Sequence, residues 1–162
     1  MTEPRIITLS QTQLVGHKRT MSIANNKTAQ LWQGFMPLRN QIPNKSDDNY
    51  YSVEIYPSVD FFSQFNPAAE FEKWAAVKVN EIADVPESME TLIIPSGLYA
   101  VFPFKGVPAD VPQFLQYVLG TWLPQSGYAL DNRPHFALMG EKYINNDPDS
   151  EEDFWIPVQG RY

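Results

Sequence analysis

The feature that most constrains how this chain can fold is an approximate internal repeat. Trp32, in an amphipathic stretch, is followed by Glu54-Ile55-Tyr56, and Trp122, in a second amphipathic stretch, by Glu141-Lys142-Tyr143. Each copy then carries an aromatic pair, Phe71 and Trp74 in the first, Phe154 and Trp155 in the second. Duplicated units of this kind pack on one another to complete a core, which predicts two similar half-domains about a pseudo-twofold axis, with the seam between them as the place for a pocket. The repeats are read as residues 1–81 and 88–162 of one domain spanning 1–162, joined near Pro86. A chain of 162 residues is long enough to bury a full core.

Periodicity supplies the elements. Residues 5–10 read as a strand and residues 14–21 as its continuation or partner, interrupted at Gly16, where a bulge costs little. Asn25, Asn26 and Thr28 offer capping side chains ahead of Leu31, Trp32, Phe35, Met36 and Leu38, which recur at helical spacing until Pro43, with Pro37 closing or kinking the helix early. Residues 50–56 alternate as a strand, with Val53 and Ile55 on one face and Ser52, Glu54 and Tyr56 on the other. Residues 57–69 read as a loop over Phe61, Phe62 and Phe65. In residues 71–79, Trp74, Ala76 and Lys78 alternate with Lys73, Ala75, Val77 and Val79.

In the second half, residues 89–94 and 98–105 flank Pro95-Ser96-Gly97 and predict an antiparallel hairpin. Asp110 caps a helix with Pro112 in its first turn and an apolar stripe of Phe114, Leu115, Val118, Leu119 and Trp122, stopped by Pro124 and Gly127. Residues 136–143 and 154–158 are the closing strands, separated by an acidic turn at 145–152. Each half is therefore strand, strand, helix, strand, strand. The expected fold is α+β, an antiparallel sheet with two main helices and a ligand groove on the pseudo-twofold axis.

Several functions are disfavoured by composition. Aromatic residues make up 14% of the chain and there is no cysteine, which removes disulfides, thiolate metal sites and cysteine nucleophiles and suits a reducing cytoplasm. The opening MTEPRIITLS has neither the basic flank nor the apolar run of a signal peptide, and no segment reaches membrane-spanning length, so a cytoplasmic protein with no membrane partner is expected. A net charge of −7 argues against a nucleic-acid backbone as partner and mildly favours a cationic one. No phosphate-binding glycine loop and no Gly-x-Ser-x-Gly elbow occurs. His17 and His135 lie far apart, and Asp147, Asp149, Glu151, Glu152 and Asp153 lack the glycine and spacing of a calcium loop, so no metal or cofactor is expected and these acids read as a solvated turn.

A set of short motifs, taken in order, resembles a known family. They are Leu14-Val15-Gly16-His17-Lys18, Leu31-Trp32-x-x-Phe35, Pro95-Ser96-Gly97-Leu98-Tyr99-Ala100-Val101-Phe102, Trp122-Leu123-Pro124, Arg133-Pro134-His135-Phe136, Glu141-Lys142-Tyr143 and Ser150-Glu151-Glu152 with Ile156-Pro157-Val158. Together they are similar to the GyrI-like effector-binding domain, which also serves as the C-terminal sensor of bacterial AraC-type and MerR-type transcription regulators. The resemblance implies a groove between the repeats that receives small, lipophilic, cationic molecules, with the breadth of a multidrug-binding site. It implies that a glutamate in a Glu-x-Tyr pattern faces the ligand, which here is Glu141 with Tyr143. Many relatives carry a second glutamate after Pro-His-Phe, where this chain has Ala137.

The physics of such a site is simple. An ionised carboxylate among rings loses hydration and is stabilised by a cationic guest. Trp122, Tyr143, Trp74 and Trp155 could attract that cation through their faces, by about 0.5–2 kcal/mol each. Glu54, Tyr56 and Tyr99 complete the candidate set, Glu54 being equally compatible with the groove and the surface. Trp32 and Phe35 read as core. One alternative is a hydrolase of reactive small molecules, with Glu141 as general base and Tyr143 as orienting donor. Another is a protein-inhibitor module of the gyrase-inhibitor type. The chain has no helix-turn-helix, so a regulatory role would need a separate protein partner, and its surplus apolar surface could support a homodimer.

Overall fold

The computed structural model describes residues 3–63 and 66–161; Phe65, expected beneath the first-half loop, lies outside them. Among these residues the strands are β1 (Arg5–Leu9), β2 (Thr12–Ser22), β3 (Tyr50–Ile55), β4 (Glu70–Lys78), β5 (Glu90–Ile94), β6 (Gly97–Lys105), β7 (Tyr128–Leu130), β8 (His135–Met139) and β9 (Glu151–Gly160). They form an antiparallel sheet in the order β1-β6-β9-β8-β3-β4-β2-β5, with β7 added to β9. Helix α1 (Thr28–Phe35) tightens into a 3-10 turn, Met36–Gln41, at Pro37, whose ring cannot continue an α-helix. Helix α2 (Val111–Tyr117) runs through a π turn, Val118–Trp122, into a last turn at Leu123–Gln125.

The repeat is visible in the topology. Exchanging β1 with β5, β2 with β6, β3 with β8 and β4 with β9 reverses the strand order into itself. β1, β2 and β3 begin at Arg5, Thr12 and Tyr50, and β5, β6 and β8 begin at Glu90, Gly97 and His135, each 85 residues later. This register corrects the residue correspondences read from sequence. Glu54 matches Met139, not Glu141. Val53 pairs with Trp74 and its counterpart Leu138 pairs with Asp153, so Trp74 matches Asp153, not Trp155.

The expected hairpin of residues 89–105 does not form. β5 pairs with β2, and β6 pairs with β1 and β9, so the first strand of each half extends the other half. Ile94 and Gly97 are three residues apart, which holds their Cα atoms within about 11 Å, yet their strands stand near opposite ends of the sheet order. The same holds for Leu9 and Thr12. The sheet must therefore curl until its ends approach each other. Its curled face encloses a core of Leu14, Tyr51, Val53, Trp74, Tyr99 and Phe136, all at most 7% exposed without a helix on that side.

β2 is unbroken through Gly16, which pairs with Ala76. No bulge is present; the glycine is needed because a Cβ there would collide with the Ala75 carbonyl oxygen and sit 2.7 Å from the Ala76 Cα. On the opposite sheet face, α1 packs over Val15 of β2 and Ala75 and Val77 of β4, and α2 packs over Ala100 and Phe102 of β6 and Ile156 and Val158 of β9. The two helices thus cover the flanks of the sheet and leave its central pair, β3 and β8, between them.

Candidate functional site

The floor of this inter-helix groove follows from strand register, because directly opposed residues share a face. At its centre Ser52 of β3 opposes Ala137 of β8, two small side chains at the middle of the pseudo-repeat. Ala137 in turn opposes Phe154 of β9, which packs in the cluster beneath α2. Two residues along β3 in one direction stands Tyr50, with Trp32 of α1 edge-on to it at 6.2 Å. Two residues in the other direction stands Glu54, flanked by Lys73 of β4 and His135 of β8.

Charge on this face is concentrated in three side chains. The Lys73 ammonium lies 3.3 Å from the Glu54 carboxylate, and both side chains are less than one fifth exposed. Burial raises the pKa of Glu54, opposed by the charge and hydrogen bond of Lys73. Glu152 lies on the same face of β9 as Phe154 and is half-buried. Burial, and then repulsion from Glu54, pushes its carboxyl up to about 7, with Lys73 acting in the opposite sense. Among the described residues Glu152 makes no ion pair of its own. Glu54, Lys73 and Glu152 therefore hold two carboxylates against one ammonium.

Aromatic side chains surround these charges. Tyr56 packs against Phe61, Phe62, Phe71 and His135 with ring centroids 4.6–5.3 Å apart. Burial and the nearby Glu54 charge hold its phenol protonated, well above the usual tyrosine range. His135 is lowered to about 3 by burial and then by Arg133, so it is neutral. Burial, followed by the Glu152 charge, raises the phenol of Tyr143. Next to Glu152 opens a cleft of about 580 Å³, bordered by Asn49, Leu138, Gly140 and Glu141, a volume in the range of small-molecule sites.

The sequence-derived candidates divide into groups. Glu54 and Tyr56 come together at one end of the groove, and Tyr143 lies near Glu152. Glu141 is exposed: β8 stops at Met139, four residues short of the expected strand end, and Gly140–Tyr143 forms a turn closed by the Tyr143 amide donating to the Gly140 carbonyl at 3.1 Å. Glu141 borders the cleft from its rim, and it is not the buried acid that the Glu-x-Tyr pattern suggested. Trp74, Tyr99 and Trp155 lie on the other face of the sheet. Trp74 donates to Glu72 at 2.6 Å, Tyr99 donates to the Pro134 carbonyl at 2.8 Å, and Trp155 stacks on Phe136 at 5.1 Å. Trp122 belongs to the α2 cluster, edge-on to Phe102 at 5.2 Å and stacked with Tyr128 at 6.4 Å.

Lys73 and Glu152 were not among those candidates, although both leave a trace in the sequence. Lys73 heads the apolar alternation Ala75, Val77, Val79, and Glu152 heads Phe154, Ile156, Val158. A charged side chain in phase with a buried row faces the interior side of its strand. The expected acidic turn in fact ends at Ser150, and Glu151 and Glu152 begin β9. Trp32, read as core, is only partly buried, at the edge of the α1 cluster. Among the described residues no group of three or more His, Asp or Glu side chains could hold a metal ion, and no helix is long and apolar enough to cross a membrane.

Comparison with known proteins places this geometry in context. The model of the GyrI-like small molecule binding domain matches residues 2–159. No curated protein matches the chain. Among solved structures, SAV2435 bound to tetraphenylphosphonium is similar with a TM-score of 0.72 at 20% identity, over 98% of this chain and 95% of that one. A putative transcription regulation protein from Staphylococcus aureus gives 0.66 at 20% identity, over 99% and 100%. The EcmrR C-terminal domain gives 0.68 at 10% identity, over 98% of both chains. At these identities the likeness is one of fold.

Proposed function

The chain belongs to the GyrI-like small molecule binding domain family, and from that premise we propose that it captures lipophilic cations in the groove between α1 and α2, with Glu152 as the charge that selects them. The observation that carries this reading is the half-buried Glu152 carboxyl, raised to about 7 and without an ion pair of its own among the described residues. A guest cation supplies the missing counter-charge, lowers the carboxyl pKa and is covered by rings. Tyr50, Trp32 and Phe154 flank the central floor, whose small side chains Ser52 and Ala137 are themselves buried. That the similar SAV2435 structure holds tetraphenylphosphonium supports this ligand class.

Such a surface selects by bulk and charge more than by hydrogen-bond pattern, so broad specificity is expected, with micromolar affinity, about −8 kcal/mol. Glu141, exposed at the cleft rim, adds long-range attraction only. Calorimetry with tetraphenylphosphonium and the neutral triphenylphosphine oxide tests this. The cation should bind at least about tenfold more tightly, Glu152→Gln should remove that advantage, and Glu141→Gln should change it less than about threefold. Equal affinity for the two ligands, or full retention by Glu152→Gln, refutes the assignment.

The same carboxyl gives the hydrolytic reading a concrete form. A glutamate titrating near neutrality is suited to general-base activation of water, and Glu152 with Tyr143 fits that role better than the exposed Glu141. Recovery of tetraphenylphosphonium unchanged says nothing on this point, whereas consumption of an electrophilic epoxide that depends on Glu152 would establish it.

A further inference from the structure

We propose that Lys73 fixes the charge of the ligand the groove accepts, making it selective for monocations over dications. This rests on the capture of cations described above and adds a determinant to it. Lys73 and Glu54 are directly opposed on neighbouring strands, 3.3 Å apart at their charged ends, on the face that also carries Glu152. An ammonium placed in a ligand groove is unexpected if the only requirement is negative potential, since it cancels half of the carboxylate charge present.

Of the other charged residues bordering the cleft beside Glu152, Lys105, Glu151 and Asp153 extend from the opposite face of their strands, and Glu141 and Lys142 are exposed and opposite in charge, so they leave the count on this face unchanged. Tyr56 and His135 are neutral at pH 7, as is Tyr143. Arg19, opposite Lys73 on β2, is exposed and screened by solvent. Lys18 is committed to Glu72 and Glu90 on the other face of β2. With Glu54 neutralised by Lys73, one carboxylate remains for the ligand. A monocation balances it. A second ligand charge would meet a face already neutral overall, with the Lys73 ammonium close by and no further carboxylate on that face to offset its lost hydration.

The test uses two flat aromatic ligands of nearly equal shape, the monocation methylphenylpyridinium and the dication methyl viologen, with tetraphenylphosphonium as reference. Wild-type protein should bind the monocation at least about fivefold more tightly than the dication. Lys73→Met removes the cation that opposes protonation of Glu54, so the second charge of a dication can take its place beside that carboxylate, and the ratio should shift toward the dication by about tenfold or more, the effect of one unit charge at short range in a partly buried site. Lys73→Arg should keep the wild-type ratio.

Glu54→Gln provides an independent arm should the methionine variant fail to fold. It leaves Lys73 opposing Glu152, and should weaken monocation binding about tenfold even though Glu54 is already paired. A ratio unchanged within about twofold in folded Lys73→Met, or monocation affinity unchanged within about twofold in Glu54→Gln, with tetraphenylphosphonium still bound, overturns the role of Lys73 and leaves cation capture standing. Failure of the wild-type protein to bind any of the three cations overturns both.

Discussion

Replacing Glu152 by glutamine should stabilise the protein at alkaline pH and do little at acidic pH. In the native state the carboxyl is raised from 4.5 to about 7, so the native protein holds this proton more tightly than the unfolded chain does. Stability from this group is complete below about 4.5, falls as pH rises, and has been lost once pH exceeds 7. At 1.36 kcal/mol per unit the shift has an upper bound of about 3 kcal/mol, and because the side chain is partly exposed and screened about 1–2 kcal/mol is the realistic size. For a chain of this length that corresponds to roughly 2–8 °C in Tm. Thermal unfolding of both proteins between pH 4.5 and 8.5 reads the difference directly. The variant should gain on the wild type between pH 5 and 8, and a lipophilic cation at the same concentration should stabilise the wild type more than the variant. A difference between the two proteins that is flat with pH, or that favours the wild type at pH 8 without ligand, refutes the argument.

Three further outcomes follow from the packing. Gly16→Ala should destabilise by about 3 kcal/mol or more in urea unfolding, because the added methyl meets the Ala75 and Ala76 backbone and β2 and β4 are each held by a strand on either side. Trp74→Phe should leave tetraphenylphosphonium affinity within about twofold while lowering stability, since Trp74 lies on the face away from the groove, whereas Tyr56→Leu should weaken binding by about three- to tenfold. In a histidine NMR titration the His135 ring should remain neutral down to pH 5, its pKa being lowered to about 3; protonation near pH 6.5 would show that the Tyr56 and Phe62 rings do not seal it.

Much of the architecture is legible without coordinates because it is local. The alternation in residues 50–56 assigns Val53 to one face and Glu54 to the other, and the structure keeps that division, with Val53 in the enclosed core and Glu54 paired with Lys73 on the helix-bearing face. The apolar spacing around Leu31 and Phe35, and the stripe from Phe114 to Trp122, place the two helices for the same reason. The short motifs also indicate the family. Strand partnership was not legible. Pro95-Ser96-Gly97 carries every local signal of a hairpin turn, yet β5 and β6 find partners in the opposite repeat, because a curled sheet buries Tyr99 and Ile94 on one interior face where a simple hairpin would leave them to solvent.

The candidate site shows the same division most sharply. Sequence alone determined that this chain is a duplicated α+β protein rich in rings and acids, without thiol chemistry, because composition and periodicity are properties of single segments. Only the tertiary structure decided which acid is drawn out of solvent. Glu141 and Glu152 are eleven residues apart and alike in type, but the strand carrying the first ends before it while the second is drawn into β9, where neighbouring chain removes water from it and Glu54 repels its charge. Burial and electrostatic coupling are relations between distant segments: the phase of Glu152 with Phe154, Ile156 and Val158 marks the face it takes, but not the Glu54 and Lys73 charges it meets there.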